Sequence, residues 1–280
     1  MDSVLFWERR QLTPPASQAE LRVALTPDAD RQVVSLDVFE SLDSTNAWLL
    51  DKPPVERGRA AVCVAKTQTA GRGRRGRQWL SPPDAGIYLS FGWSFPELRQ
   101  DLPTLALVVG VTVKQTLERL GATAIQLKWP NDLIVHGGKL GGILIELRSA
   151  PHCVYVVIGI GINLRNPLNF DTTIHTMGGQ PPRDLIAAGI DSPELTRTTA
   201  ALISALCTTL PIFERSGLMP FREEWSQADS LRDRHIQWQE NDDLRSGIAR
   251  GLADDGALLV DCHGVLVRLV AGEVTVRVTA

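Results

Sequence analysis

The sequence contains few residues that could build a metal site or a disulfide framework. Its four cysteines form no CxxC pair and lie far apart, at Cys63, Cys153, Cys207 and Cys262. None of its five histidines stands at zinc-finger spacing, so no structural zinc site is expected. Disulfides are unusual at this cysteine density in a chain of this size, and we expect reduced thiols and a cytoplasmic protein.

Long apolar runs and a large excess of one charge are also missing. The longest apolar stretch, Leu102 to Val113, has about a dozen residues, whereas roughly 20 are needed to span a bilayer. The charged residues Glu8 to Arg10 beside the first short apolar run are not typical of a signal peptide. Because 29 Lys and Arg nearly balance 32 Asp and Glu, we expect no surface built as a whole for nucleic acid. The sequence predicts a soluble chain, without membrane association, in which any cationic site is local.

Familiar nucleotide-binding and hydrolytic motifs are absent from the sequence. It has no GxxxxGK[ST] phosphate loop, no GxSxG elbow and no HExxH. A GxGxxG string does occur at Gly71–Gly76, but Pro82 and Pro83 follow soon after, so no helix is expected to begin there. If the chain uses a nucleotide, a non-standard fold must hold it.

The 280 residues suffice for one large domain and a small appendage. Regular structure is expected to begin at Val33, with helix N-cap candidates at 43–46 and a hairpin at Gly137-Gly138. Short strands and turns from about 235 onward are typical of a small β module. The predicted strands are 33–39, 60–65, 87–95, 124–128, 132–136, 140–147 and 154–160, and the predicted helices are 101–120 and 194–230, with a break near Ser216-Gly217. The predicted division is an extension, 1–32, a large domain, 33–232, and the β module, 233–280.

The most distinctive cluster is a loop, Gly71–Trp79, whose first seven residues contain four arginines and three glycines. Glycines let main-chain amides approach an anion, and guanidinium groups clamp phosphate or carboxylate. Such a loop would be disordered without a counter-charge, and an anionic ligand could order it into a lid. A solvated basic turn or a nucleic-acid patch explains the same composition.

Two more clusters place polar residues at strand ends. In Gln126–Leu133 a strand stops at Pro130, and Asn131 and Asp132 could hold Mg²⁺ or a ribose, although an ordinary turn would need the same residues. In 137–146 a single lysine, Lys139, stands between two Gly-Gly pairs. Its ammonium suits a phosphoryl oxygen or a carboxylate, but an exposed hairpin tip is the simpler explanation of that pattern alone.

A fourth cluster, Ile158–Leu164, alternates small and apolar residues around one polar side chain, Asn163. Packing explains these glycines as well as function does. Each of the four clusters is therefore a weak signal when it is taken alone.

Taken together and in order, five segments resemble the biotin–protein ligase family: Asp43–Asn46, GRGRRGRQW at 71–79, KWPND at 128–132, GGKLGGIL at 137–144 and GIGINL at 159–164. The pieces 256–260 and 271–274 are similar to that family's small end domain. The resemblance implies an α+β fold with a mixed, class II synthetase-like sheet that has helices on one side. A small SH3-like β-barrel is expected to follow it.

The resemblance also implies roles for individual residues. Those expected to bind biotin are Ser44, Thr45, Asn46 and Gln68 at its ring head, Arg72, Gly73 and Arg74 on the loop over its tail, Trp79 as a wall, and Lys139 at its carboxylate. The expected catalytic residues are Lys139, Arg72 and Arg74. The nucleotide is expected near Lys128, Asn131 and Asn163, with Mg²⁺ at Asp132.

In the implied reaction, ATP activates biotin as biotinyl-5′-AMP, and biotin is then transferred to a lysine of a biotin carboxyl carrier protein or domain. The nearest rival is a lipoate–protein ligase, and a more distant one is a nucleic-acid-binding module. Some family members carry an N-terminal winged helix-turn-helix, but only about 32 residues precede the matching region here. We therefore expect no sequence-specific DNA binding. Pairing of two chains is left open.

Overall fold

The computed structural model describes residues 17–167, 170–176, 180–240, 243–271 and 276–278. The helices are α1 Gln18–Ala24, α2 Pro27–Gln32, α3 Thr45–Asp51, α4 Leu105–Arg119, α5 Phe170–Thr176, α6 Leu195–Ser216 and α7 Arg222–Ala228. The strands are β1 Val33–Leu42, β2 Ala60–Gln68, β3 Gly86–Phe95, β4 Ile125–Lys128, β5 Asp132–Val135, β6 Gly138–Ala150, β7 Cys153–Asn163, β8 His235–Glu240, β9 Asp243–Leu252, β10 Leu258–Cys262, β11 Val265–Leu269 and β12 Val276–Val278.

Seven strands form the main sheet in the order β1-β2-β3-β7-β6-β5-β4. Only β1 and β2 pair in parallel, and the other neighbours are antiparallel. The predicted hairpin between β5 and β6 is confirmed, with positive φ angles at His136 (46°) and Gly137 (74°). Two successive positive φ angles match the twist of a hairpin, and this favours glycine in the turn.

The two faces of the main sheet bury different helices. Successive residues of β2 point to opposite faces of the sheet. Val62 and Cys63 therefore belong to two separate clusters of buried side chains. Helices α4 and α6 pack in the larger cluster, and α3 lies over the smaller one, against β2, β3 and β7. The implied arrangement with helices on one side is therefore incomplete, because α3 occupies the opposite face.

By length and composition alone, α6 could cross a membrane. However, 56% of its most apolar 18-residue window is buried inside the protein. It contacts α1, α2, α4 and β3, as a core helix does. Its end at Ser216 confirms the predicted break, since α7 begins only after a short 3-10 turn at Met219–Phe221.

The second sheet has five antiparallel strands in the order β11-β10-β9-β8-β12. It is joined to the main sheet at β4. Ser230 N donates to the Leu127 carbonyl (2.9 Å), and the buried indole Nε1 of Trp129 donates to the Gly256 carbonyl (3.0 Å). The segment that carries Lys128 is thus held by the chain before β8 and by the turn between β9 and β10.

The prediction that regular structure begins at Val33 is wrong, because α1 and α2 precede it. Ser17 caps α1 in a capping box with Glu20, and Thr26 caps α2 ahead of Pro27. These are standard helix-start signals, but each helix is too short to show a period. Residues 1–16 of the expected extension and 272–274 of the expected end-domain piece lie outside the described residues.

Candidate active site

A cavity of about 270 Å³ opens on the face of the main sheet that carries α3. Main-sheet strands, the loop 71–79 and α5 contribute to its lining, and Val276 of β12 closes it from the second sheet. The residues selected from the sequence all lie in this lining: Ser44, Thr45, Asn46, Gln68, Arg72, Gly73, Arg74, Trp79, Lys128, Asn131, Asp132, Lys139 and Asn163.

The start of α3 forms one end of the cavity. Ser44 is the N-cap, and its hydroxyl accepts from Ala47 N (3.4 Å), as its position ahead of the helix predicts. The Gln68 Oε1 accepts from both the main-chain N (2.9 Å) and the hydroxyl (3.1 Å) of Thr45. Gln68 Nε2 in turn donates to the Ser81 hydroxyl (3.0 Å). This end of the cavity is therefore a fixed set of polar groups.

Two side chains outside the sequence prediction complete this polar set. The fully buried Ser90 hydroxyl lies within hydrogen-bond distance of Thr45 Oγ1 (2.8 Å) and Asn46 Oδ1 (2.5 Å). Asn46 Nδ2 donates to Glu146 Oε2 (2.7 Å). Ser90 could have been noticed as a polar residue in an otherwise apolar strand. Nothing local in the sequence pairs Glu146 with Asn46.

The arginine-rich loop folds back on itself above the cavity. Gly73 N donates to the Arg77 carbonyl (2.7 Å), and Trp79 N donates to the Gly71 carbonyl (2.9 Å). Arg75 has a positive φ of 57°, which lets the chain turn tightly there. The side chains of this loop thus reach the cavity from a short hairpin-like turn.

Two arginines of the loop contact the rest of the site. Arg72 Nη1 lies 3.3 Å from Glu146 Oε1. The carboxylate of Glu146 is therefore a negative charge beside the positively charged loop. Arg74 NH1 donates to Asn131 Oδ1 (3.1 Å). Burial lowers the pKa of Arg74 from its ordinary value, while nearby Asp132 raises it. An arginine remains charged under such a shift.

Two glycines of β7 make room for side chains of the site. A Cβ on Gly161 would lie 2.6 Å from Trp79 Cε2, and a Cβ on Gly159 would lie 2.5 Å from Asn46 Oδ1. Real Cβ atoms do not come this close to other atoms. The alternation in 158–164 is therefore a packing requirement that the site imposes. Packing therefore explains both glycines.

Lys139 lies at the other end of the cavity. Its Nζ is 2.7 Å from Asp132 Oδ1 and 5.4 Å from the centre of the Trp79 ring. Asn163 Nδ2 donates to the carbonyls of Lys139 (3.2 Å) and Arg183 (2.9 Å). The amide of Asn163 therefore holds the main chain that presents the lysine, which sequence reasoning did not foresee.

The 128–132 segment forms the wall between Lys139 and the loop. Lys128 is largely buried, and Asn131 Nδ2 donates to the Ile143 carbonyl (2.7 Å). The polar residues expected at this strand end thus face the cavity. Among the described residues there is no group of three or more His, Cys, Asp or Glu side chains that could hold a metal ion.

The lining also includes residues that sequence reasoning missed. They include Phe170, Ile174, Gln180, Pro182 and Val276. Lys139 N donates to the Pro181 carbonyl (2.7 Å), which ties the segment after α5 to the cavity. This part of the chain is polar and irregular in sequence, so no pattern pointed to it.

The arrangement suits a ligand with a polar head and an anionic end. Hydrogen-bonding groups with little freedom lie at the α3 end, and cationic side chains approach from the loop, β4 and β6. Tyr88, which also lines the cavity, donates from its hydroxyl to the Pro82 carbonyl (2.9 Å), and burial raises its pKa. Tyr88 is therefore neutral. The site can position and neutralise anions.

Comparison with known protein families gives two matches. Residues 38–163 match the biotin/lipoate A/B protein ligase family, and residues 234–277 match the biotin protein ligase C-terminal domain. The first match ends at Asn163 and contains the sequence motifs of the cavity. The second covers most of the five-stranded sheet, and together they confirm the expected fold class.

Whole-chain relatives agree with these matches. The chain is 38% identical over 256 residues to the bifunctional ligase/repressor BirA of Salmonella typhimurium, covering 89% of this chain and 78% of that protein. It is 30% identical over 274 residues to the biotin–[acetyl-CoA-carboxylase] ligase of Mycobacterium tuberculosis, covering 95% and 98%. Among solved structures, the Aquifex aeolicus biotin protein ligase in complex with biotin and ATP is similar, with a TM-score of 0.72, 25% identity and coverage of 88% and 100%.

Proposed function

Because the chain belongs to the biotin/lipoate A/B protein ligase family, we propose that it is a biotin–protein ligase: it activates biotin with ATP and transfers it to a lysine of a carrier protein. One observation carries this proposal. A single cavity has fixed hydrogen-bonding groups at one end and Arg72, Arg74, Lys128 and Lys139 at the other. Biotin has a ureido head that needs donors and acceptors, and its carboxylate end must meet a triphosphate.

The residues at the α3 end hold the biotin head. Thr45, Asn46 and Gln68 are oriented by their contacts with Ser81, Ser90 and Glu146, so they offer the ring preorganised partners. Ser44 caps the helix that presents Thr45 and Asn46. Trp79, seated on Gly161, forms an apolar wall beside the ligand.

The cationic residues act where the two anions meet. Lys139 leaves Asp132 to contact the biotin carboxylate and the α-phosphate, and Arg72 and Arg74 cover the tail from the loop. Lys128, Asn131 and Asn163 line the nucleotide end, Asn163 by holding the main chain of Lys139. Cancelling the repulsion between two anions is the largest contribution that such a site can make to the rate.

In the first half-reaction, a biotin carboxylate oxygen bonds to the α-phosphorus of ATP, and the bond to pyrophosphate breaks. In the second, the neutral amine of the acceptor lysine attacks the acyl carbon, AMP leaves with the electron pair, and the amine loses a proton. Neither step needs a nucleophile from the enzyme, so positioning is its main task. The arginine loop keeps water from the mixed anhydride between the two steps.

Mg²⁺ is proposed to accompany ATP. Mg²⁺ in nucleotide sites is held by one or two carboxylates together with the substrate phosphates, so a cluster of protein ligands is not needed. Asp132, with the amide oxygen of Asn131 beside it, has suitable chemistry for this role. When bound, the ion would neutralise charge on the phosphates.

The acceptor is proposed to be the biotin carboxyl carrier protein or domain of a biotin-dependent carboxylase. The expected lack of sequence-specific DNA binding stays a prediction, because the Salmonella relative is named a ligase and repressor. The cytoplasmic location and the domain boundaries stay predictions, and pairing of two chains is left open as before.

The deciding experiment incubates the protein with ATP, Mg²⁺ and a carrier domain, with either labelled biotin or labelled lipoate. We expect biotin on the carrier lysine and biotin-dependent exchange of pyrophosphate into ATP. Transfer of lipoate without biotin would make the chain a lipoate ligase. Tight, salt-sensitive binding of an oligonucleotide without binding of biotin would favour the nucleic-acid module instead.

A further inference from the structure

Two hydrogen bonds and an ion pair run from the head end of the cavity to the arginine loop and pass through Glu146. Ser90 contacts Asn46 Oδ1, Asn46 Nδ2 donates to Glu146 Oε2 (2.7 Å), and Glu146 Oε1 lies 3.3 Å from Arg72 NH1. The two oxygens of one carboxylate therefore join the two ends of the site. We propose, on the basis of the proposed function, that Glu146 is a positioning residue that orients the Asn46 amide and holds Arg72 over the cavity.

The first part of this role follows from the chemistry of the two side chains. An ionised carboxylate only accepts hydrogen bonds, whereas an amide has a donor end and an acceptor end. Glu146 therefore fixes Nδ2 of Asn46 toward itself and Oδ1 toward Ser90 and the cavity. A ring with ureido N–H groups needs an acceptor in that place. An Asn46 turned the other way would present a donor to a donor.

The second part concerns the charge of the loop. Four arginines in seven residues repel one another, and the carboxylate of Glu146, with 25% of its side chain exposed, forms an ion pair with Arg72. A guanidinium has five N–H donors, so Arg72 can keep Glu146 while its other donors face an anion in the cavity. Glu146 thus holds the loop where the ligand will need it.

Because one carboxylate serves both partners, binding of the head and closure of the loop are linked. An acyl adenylate that orders Asn46 also holds in place the carboxylate that contacts Arg72. Glu146 does not need to touch biotin or ATP for this effect. It acts through the two residues that do.

The test compares Glu146→Gln with Glu40→Gln, a strand glutamate that is paired with Lys66 outside the cavity. Glutamine can donate as well as accept, so it no longer fixes the orientation of the Asn46 amide. Because glutamine is neutral, it also no longer balances the charge of Arg72. We expect the KM for biotin in pyrophosphate exchange to rise about tenfold, as for loss of a hydrogen bond to a charged group, with little change in kcat. Biotinyl-AMP should also dissociate faster. Glu40→Gln should match the unmodified protein.

Two further variants show whether Glu146 acts through its partners. In an Arg72→Ala background, Glu146→Gln should accelerate adenylate release less than it does in the unmodified protein, because only its effect through Asn46 remains, and an unchanged acceleration would overturn the coupling. If Glu146→Gln melts below the assay temperature, Glu146→Asp replaces it. Its shorter carboxylate cannot reach both partners, so the KM or the release rate must change.

The outcomes separate the two proposals. An unmodified protein without biotin-dependent exchange overturns the proposed function and the role of Glu146 with it. An active unmodified protein whose Glu146 variants keep the normal KM and the normal adenylate release overturns the role of Glu146 alone.

Discussion

The indole of Trp79 occupies the space beside Gly161 that a side chain would fill, with Cε2 only 2.6 Å from the position of a Cβ. Gly161 of β7 and Trp79, the last residue of the loop 71–79, therefore pack in direct contact. Every atom added to Gly161 must push the ring into the cavity or out of its place.

We expect Gly161→Ala to weaken biotin binding without unfolding the protein. The added methyl displaces the Trp79 ring from its place beside the ligand. A loss of about 1 kcal/mol of binding raises the dissociation constant for biotin about fivefold, as measured by titration calorimetry. Gly110→Ala is the matched control, since a Cβ there lies 3.5 Å from Leu127 Cδ2, an ordinary contact. Unchanged biotin affinity in Gly161→Ala would show that Trp79 does not wall the ligand.

Gly110 itself offers a prediction on stability. It lies in the interior of α4, where glycine costs about 1 kcal/mol relative to alanine. Gly110→Ala should raise the free energy of unfolding in urea by roughly 0.5–1 kcal/mol and leave pyrophosphate exchange unchanged. A destabilised variant would mean that the contacts with Leu127 and Ile143 are tighter than the structure shows.

Lys139→Ala should abolish adenylate formation and keep the fold. Removal of one donor from a charge-stabilising site typically lowers kcat by about a hundred- to a thousandfold, which biotin-dependent pyrophosphate exchange measures. Lys66→Ala is the control, because Lys66 is also paired with a carboxylate but lies on β2 outside the cavity. Normal exchange by Lys139→Ala would remove the lysine from the mechanism.

Arg74→Gly should allow the adenylate to escape. The variant loses the contact with Asn131 and gains a flexible residue in the loop, so biotinyl-AMP should leave before transfer. The readout is biotin on lysines of a bystander protein such as serum albumin. Arg57→Gly is the control, because it breaks an ion pair with Glu214 away from the site, and it should not label the bystander protein. If Arg74→Gly does not label the bystander either, the loop is not a lid.

Asp229 should make the stability depend on pH. Burial raises its pKa from 3.8 to about 6, with only a partial offset from the Leu231 amide. The folded protein therefore holds more protons than the unfolded chain between these values, and the free energy of unfolding should fall as pH rises through this window. Asp229→Asn should flatten this part of the profile and be more stable at pH values above it. The exposed Asp28, substituted by Asn, is the control.

Much of the fold could be predicted from the sequence because its strands are marked by apolar runs and glycine turns. The hairpin between β5 and β6 and the long helix α4 follow from local patterns. The first two helices were missed, because with six or seven residues each they have caps but no period. A capping box therefore indicates a helix even where no periodic segment follows.

The site was predictable where its residues stand in glycine-rich or strand-end motifs, and it was not where contacts cross the sheet. Ser90 and Glu146 meet Asn46 only because β7 pairs with both β3 and β6, with Ser90 and Leu144 opposite Gly159. Their separation from Asn46 is 44 and 100 residues along the chain. The register among these three strands cannot be predicted from the sequence of any one of them.

The hydrogen bond from the Trp129 indole to the Gly256 carbonyl has a practical consequence for dissecting the chain. Cutting away the five-stranded sheet would remove that acceptor from Trp129 and would also remove Val276, and both Trp129 and Val276 line the cavity. A truncated chain would therefore lose part of the cavity itself, for reasons unrelated to carrier recognition. Point substitutions on the outer strands are therefore the sounder way to ask where the carrier docks.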